Sequence, residues 1–400
     1  MAGTGGPRTG GPRARDLGIV IGTMMPGPLN AITDVPGVRV GHATIIDGDG
    51  PLVVGKGPIR TGITVVIPHA GDVWKEPVFA APHTLNGNGE MTGLEWIRES
   101  GMLGGVIAIT NTHSVGVVRD ALVAEGIRSQ APGAFFWSLP VVGETWDGLL
   151  NDTDGMHVKP EHLARAIADA RSGPVAEGNV GGGTGMVCHE FKGGIGTASR
   201  RLARADGGWT LGVLVQANYG SRRLLRIDGV PVGREIGIDE VPSPYGIESA
   251  GEASWPEGGL DQSTEARTRD GSIIIIIATD APVIPTQCAR IAQRAGLGLA
   301  RAGSIGATTS GDIFLCFSNG NLDLSQPEHD GSGPGVTTVR TLRDRALDPL
   351  FEATVEATEE AIVNALVAAE TMTGRDGMTA HRLPHDRLRE VMAKYGRSHA

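Results

Sequence analysis

Five consecutive isoleucines, Ile273 to Ile277, follow Asp270-Gly271-Ser272 with no polar residue among them. A β-branched run without alternation belongs to a strand buried on both faces, because a strand with one wet side would alternate polar and apolar residues. The chain must therefore supply apolar cover above and below this strand. Ser272 stands at its mouth, where a hydroxyl would be rigidly held. Glycine adopts backbone angles closed to other residues, so the Gly271-Ser272 peptide is expected to be strained, with its carbonyl facing the Ser272 hydroxyl. Self-cleavage needs that arrangement, although the same string also reads as an ordinary turn that starts a core strand.

At 400 residues the chain has ample length for one large α/β domain or two ordinary ones. No apolar run approaches the ~20 residues of a membrane-spanning helix, so a globular, cytoplasmic protein is expected. A net charge of -10 argues against nucleic-acid binding. Cys188, Cys288 and Cys316 are widely spaced in apolar or glycine-rich stretches, without metal-ligand spacing. They fit reduced core thiols. Residues 1–13 repeat a Thr-Gly-Gly-Pro-Arg unit and lack the apolar core of a secretory signal, which predicts a disordered tail.

Strand and helix patterns alternate along the rest of the chain. Val38 to Ile46, Thr61 to Ile67 and Val106 to Thr110 read as strands. Thr92-Gly-Leu-Glu95 has the spacing of a capping box, and Val115 to Gly126 reads as a short helix ended by its glycine. Further helices are expected from Pro160, from Pro285 to Ala295 with a stop at Gly296, and from about Pro349 to Thr373. Strands are expected near Trp209 to Ala217 and from Ile313 to Ser318. The stretch 221–271, rich in Pro, Gly and charge, reads as a long loop before the Ser272 strand.

Several strings offer chemistry. If the chain were cut before Ser272, the freed α-amine, with a pKa of ~7.7 to 8.0, could take the hydroxyl proton. One residue would then supply both nucleophile and base. Ser310 and Asp312, two residues apart on one side of an extended segment, could orient the Ser272 hydroxyl and amine. Asn218, after a buried strand, could donate to an oxyanion or simply cap a turn. Glu144 could bind a substrate ammonium. The run Gly178 to Met186 lacks a nucleotide fingerprint and reads as a tight loop at a cavity wall, where Gly182 and Gly183 are expected to let the backbone approach a substrate closely. The histidines are scattered, without a pair at helical ligand spacing, so no essential metal is expected.

Taken together, Leu29 to Gly37, Gly178 to Gly185, Gly212 to Asn218, Ser272 to Pro282 and Asn364 to Met372 resemble one family in order. It is the L-aminopeptidase/D-esterase (DmpA-like) family of self-processing N-terminal-nucleophile hydrolases, which includes β-peptidyl aminopeptidases. The resemblance implies a four-layer αββα sandwich of residues 14–400, cut into an α chain 1–271 and a β chain 272–400. It implies Ser272 as nucleophile, Ser310 and Asp312 as its support, Asn218 as oxyanion donor and Glu144 as the group that holds the substrate's amino terminus. The expected substrate is a small peptide, amino-acid amide or ester, and the expected assembly a homo-oligomer of αβ units without cofactor.

Trp146 stands where relatives often carry a tyrosine, and Asp312 where some carry glutamate, one methylene longer. An acyltransferase of the ornithine acetyltransferase type is an alternative on the same fold. A non-enzymatic small-ligand-binding protein, built around the glycine loop of an uncut chain, is another.

Overall fold

The computed structural model describes residues 11–246, 271–322, 324 and 336–397. Two sheets stack face to face. One has the strand order β1 (Arg39–Asp47), β2 (Ile59–Ile67), β5 (Ile107–Asn111), β6 (Val141–Thr145). The other runs β4 (Met102–Leu103), β3 (Val78–Gly87), β12 (Gly311–Ser318), β11 (Ser272–Thr279), β10 (Thr210–Asn218), β9 (Gly194–Arg201). Helices α2 (Val115–Ser129) and α3 (Pro160–Asp169) cover the first sheet, while α5 (Pro285–Arg301) and α6 (Asp348–Ala368) cover the second. This is the expected αββα sandwich. Shorter elements complete the chain: helices α1 (Leu94–Ser100), α4 (Val232–Glu235) and α7 (His385–Lys394), and the hairpins β7 (Val187–Cys188) with β8 (Phe191–Lys192) and β13 (Met372–Thr373) with β14 (Thr379–Ala380).

The isoleucine run is why β11 lies at the centre. Ile273, Ile275 and Ile277 face the α5 and α6 layer, among Ile291 and Leu366. Ile274 and Ile276 face the seam between the sheets, among Ile107, Ile109 and Leu214. All five are fully buried, so neither face has a use for a polar residue. On one side β11 pairs antiparallel with β10, and on the other parallel with β12. A parallel pair needs a crossover, which α5 supplies.

Glycines misled the sequence-based helix boundaries because they serve packing. Helix α5 runs past Gly296 to Arg301. A Cβ at Gly298 would stand 2.5 Å from the Val355 carbonyl oxygen, so this glycine lets α5 touch α6. Helix α2 runs past Gly126, where a Cβ would meet the Phe136 ring at 2.2 Å. The long helix α6 ends earlier than expected, at Ala368. The Thr92 capping box does not form: α1 begins after left-handed Gly93, and the Thr92 hydroxyl donates instead to the Pro140 carbonyl at 2.7 Å.

The expected long loop 221–271 is packed over its first part. Leu225, Ile227, Val230, Val232 and Ile236 join the core beneath α5 and α6. Arg222 lies over the Phe191 ring at 3.4 Å and donates to the Val241 carbonyl. Residues 247–270 lie outside the described residues. So does most of the expected tail 1–13, but Arg13 is buried and its Nε lies 2.6 Å from Glu177.

The stretches Leu29 to Gly37 and Asn364 to Met372 are clamps. Asn30 donates to Glu360 at 2.6 Å and accepts from the Ser199 amide, while Asn364 donates to the Thr197 carbonyl. Beside them Arg200 is fully buried between Glu356 at 2.8 Å and Glu360 at 2.7 Å. These contacts lock α6 onto β9, the edge strand beside β10.

Candidate active site

Strand register assembles the site. Asn218, the last residue of β10, stands opposite Ser272, the first of β11, and Asp312 of β12 stands opposite Ile273. Three strand ends thus deliver an amide, a hydroxyl and a carboxyl to one edge of the sheet. The Ser272 Oγ accepts the Gly311 backbone N–H at 3.0 Å. The Ser310 hydroxyl reaches both the Gly271 carbonyl oxygen and Asp312 Oδ1, the latter at 2.6 Å. One hydroxyl proton cannot serve two acceptors. Both contacts are satisfied when Asp312 is protonated and donates to Ser310, which in turn donates to Gly271. Burial raises the Asp312 pKa above the usual carboxylate range, against the pull of its bonds to Ser310, Ile273 and Asn86.

While the Gly271-Ser272 peptide is intact, the Ser272 nitrogen is a peptide amide and not the amine that cutting would release. Glycine is needed at 271 for space: a Cβ would stand 1.7 Å from the Asn218 carbonyl oxygen.

Ser272 opens on a cleft of about 410 Å³ whose walls include Asn218, Glu144, Trp146, Thr112 and Glu90. Glu144, near the end of β6, accepts the Glu90 backbone N–H at 2.8 Å and the Thr112 hydroxyl. Burial raises its pKa, and those two bonds oppose the rise. Each carboxylate oxygen keeps a lone pair for a further donor. Asn218 Nδ2 donates to the Trp146 carbonyl at 2.9 Å and Oδ1 accepts the Val187 N–H at 2.8 Å, so among the described residues one amide proton remains uncommitted. Trp146 is 43% exposed. Its indole lies against Gly148, where a Cβ would come within 2.5 Å of the ring.

Gly182 and Gly183 are not in the cleft. Their turn, Gly181–Gly183, is buried in the seam, where a Cβ on Gly182 would stand 2.1 Å from Gln216 Oε1 and one on Gly183 2.4 Å from the Ile195 nitrogen. The loop is braced by Lys192, fully buried, whose ammonium donates to the Gly183, Met186 and Gly193 carbonyls at 3.2, 2.8 and 2.9 Å. Burial lowers its pKa to about 7.

The sequence reading missed the opposite wall. Asn86 accepts the Asp312 N–H at 2.7 Å, and Asn88 donates to the Thr309 carbonyl at 2.6 Å. Gly89 lets this segment approach Gly311, whose Cα would lie 3.0 Å from an added Cβ. The signal available was the dense turn string Asn86-Gly-Asn-Gly-Glu90 directly after an apolar strand.

Comparison with known proteins identifies the family. The model of peptidase family S58 matches residues 30–380. A β-peptidyl aminopeptidase, BapA, of Sphingosinicella microcystinivorans is 50% identical over 97% of this chain and 93% of its own length. Its counterpart from Sphingosinicella xenopeptidilytica is 45% identical over 96% and 91%. Among solved structures, a Burkholderia sp. β-aminopeptidase superposes with a TM-score of 0.85 at 51% identity, covering 96% of this chain and 99% of that one. An L-aminopeptidase D-Ala-esterase/amidase of Ochrobactrum anthropi, described as a variant of the N-terminal-nucleophile hydrolase fold, superposes at 0.81 with 41% identity, covering 97% and 100%. With its αββα layers, its serine at a strand mouth and a family match over most of its length, this chain belongs to peptidase family S58.

Proposed function

We propose that the chain cuts itself between Gly271 and Ser272 and then acts as a serine aminopeptidase, with residues 1–271 as α chain and 272–400 as β chain. The observation that carries this reading is the Ser310 hydroxyl bonded to the Gly271 carbonyl oxygen while the Gly311 N–H holds the Ser272 hydroxyl beside the same peptide. In the first step Ser272 Oγ attacks the Gly271 carbonyl carbon, and Ser310 stabilises the charge that develops on its oxygen. The C–N bond breaks, the proton passes to the departing nitrogen, and water hydrolyses the resulting ester. The products are the Gly271 carboxylate and a free Ser272 amine.

In the catalytic cycle that amine takes the Ser272 hydroxyl proton as Oγ attacks the substrate carbonyl, and returns it to the leaving amine. The remaining Asn218 amide proton serves the oxyanion, and Glu144 holds the substrate ammonium. Water then releases the acyl group. Trp146, at the cleft wall, limits the size of the residue accepted.

The names of the relatives support amino-terminal β-amino-acid residues among the substrates, alongside small α-residues, amides and esters. They do not favour transfer to an amine acceptor. The proposal includes a cytoplasmic, oligomeric enzyme. Three buried, unpaired thiols support a reducing compartment, and the exposed Phe135, Trp137 and Trp96 support an interface between copies. Among the described residues no helix is long and apolar enough to cross a membrane. Ser272→Ala tests the reading: the variant should stay whole and hydrolyse no amino-acid anilide. Normal cleavage or turnover in that variant would place the nucleophile elsewhere.

A further inference from the structure

We propose that Glu90 is a specificity-determining residue which, with Glu144, makes the cleft select amino-terminal residues that carry a second cation, such as lysine or ornithine. Both acids line the cleft into which Ser272 opens, and among the described residues no Lys, Arg or His lines it with them. Glu90 is held at this wall by its own backbone N–H, which donates to Glu144 Oε1. Its carboxylate adds to the forces that raise the Glu144 pKa, so the two negative charges act on each other. The basic group that acts on Glu144 from outside the lining is His113, whose Nδ1 lies 3.1 Å from Asp154 and is therefore directed elsewhere.

A substrate with a single ammonium neutralises Glu144 and leaves Glu90 unanswered. One with a side-chain cation answers both. Glu144 is buried and Glu90 exposed, which fits the order of the two charges: the α- or β-amine sits deep beside the scissile bond, and the side-chain cation reaches back toward the mouth. A partly exposed pair contributes at most about 1 kcal/mol, and 1.4 kcal/mol corresponds to tenfold, so the expected preference is about 5-fold.

This inference rests on the aminopeptidase reading above, and the experiment separates the two. The kcat/KM of the wild-type enzyme is measured for lysine and norleucine p-nitroanilides, which share a four-carbon side chain and differ by the terminal ammonium, in both the α- and β-homo series. The lysine substrate should lead by about 5-fold, the lead should shrink as salt is raised, and Glu90→Gln should remove it. Glu90→Lys should reverse it in favour of norleucine. Equal rates on the two substrates, or a lysine preference that survives Glu90→Gln, would overturn the inference while leaving the aminopeptidase intact. Absence of turnover on every anilide would overturn both.

Discussion

Replacing Ser310 by alanine removes one hydroxyl from the least redundant point of the site. That hydroxyl is the donor found on the Gly271 carbonyl oxygen, and it also contacts Asp312 Oδ1 at 2.6 Å. Loss of a single preorganised oxyanion donor costs about 2.7–4 kcal/mol, or about 10²–10³ in rate. The Asp312 carboxyl would lose its Ser310 bond too. Fold stability should fall by no more than about 1–3 kcal/mol, the cost of leaving a buried polar group without its partner. A folded precursor should therefore accumulate. The assay is a time course of freshly purified protein by denaturing mass spectrometry, with urea unfolding as the control for folding. Ser310→Thr, which keeps a hydroxyl, should restore most of the rate. Cleavage of a folded Ser310→Ala protein within about threefold of wild type would refute the assignment, because a loss of 10² or more is required.

Two other substitutions test separate parts of the account. Gly271→Ala would place a methyl 1.7 Å from the Asn218 carbonyl oxygen, so the start of the β10–β11 pairing must open, at a cost of about 1–3 kcal/mol, and self-cleavage should slow markedly; unchanged cleavage by mass spectrometry would show that this close approach has no part in it. Lys192→Met probes the brace behind the glycine loop. The Lys192 pKa falls from 10.5 to about 7 on folding, so between those values the unfolded chain holds the extra proton and wild-type stability rises with pH. Methionine abolishes that slope. Urea unfolding at pH 7, 8 and 9 should therefore show the deficit of the variant widening with pH by up to about 1.4 kcal/mol per unit; a constant deficit would mean that Lys192 stays charged in the folded protein.

Period and propensity made the layers readable before any coordinates. The Ile273 to Ile277 run demanded cover on both sides, and α5 and α6 on one face and the four-stranded sheet on the other provide it. The residues around Ser272 were legible for a different reason: each sits where a buried strand begins or ends, a position visible in sequence. What escaped was set by tertiary contact. Gly126 and Gly296 look like helix stops locally, yet lie within helices, where Gly126 and the nearby Gly298 accept a close neighbour. Gly182 and Gly183 look like a ligand loop but fill the seam between the sheets. Glu90 and Asn88 carry no periodic signal, and only the fold of the 86–90 turn against Gly311 brings them to the cleft. Asp34 and Asn30 read as part of a family signature, and their bonds to Ser199 and Glu360 are structural.

Everything proposed for Ser272 depends on its becoming an amino terminus. The most direct measurement is the denatured mass of the wild-type protein, together with amino-terminal sequencing of each species. The account predicts two chains that sum to the 41.5 kDa polypeptide plus one water, the smaller beginning Ser-Ile-Ile-Ile. A single 41.5 kDa chain that hydrolyses amino-acid anilides at full rate would contradict it.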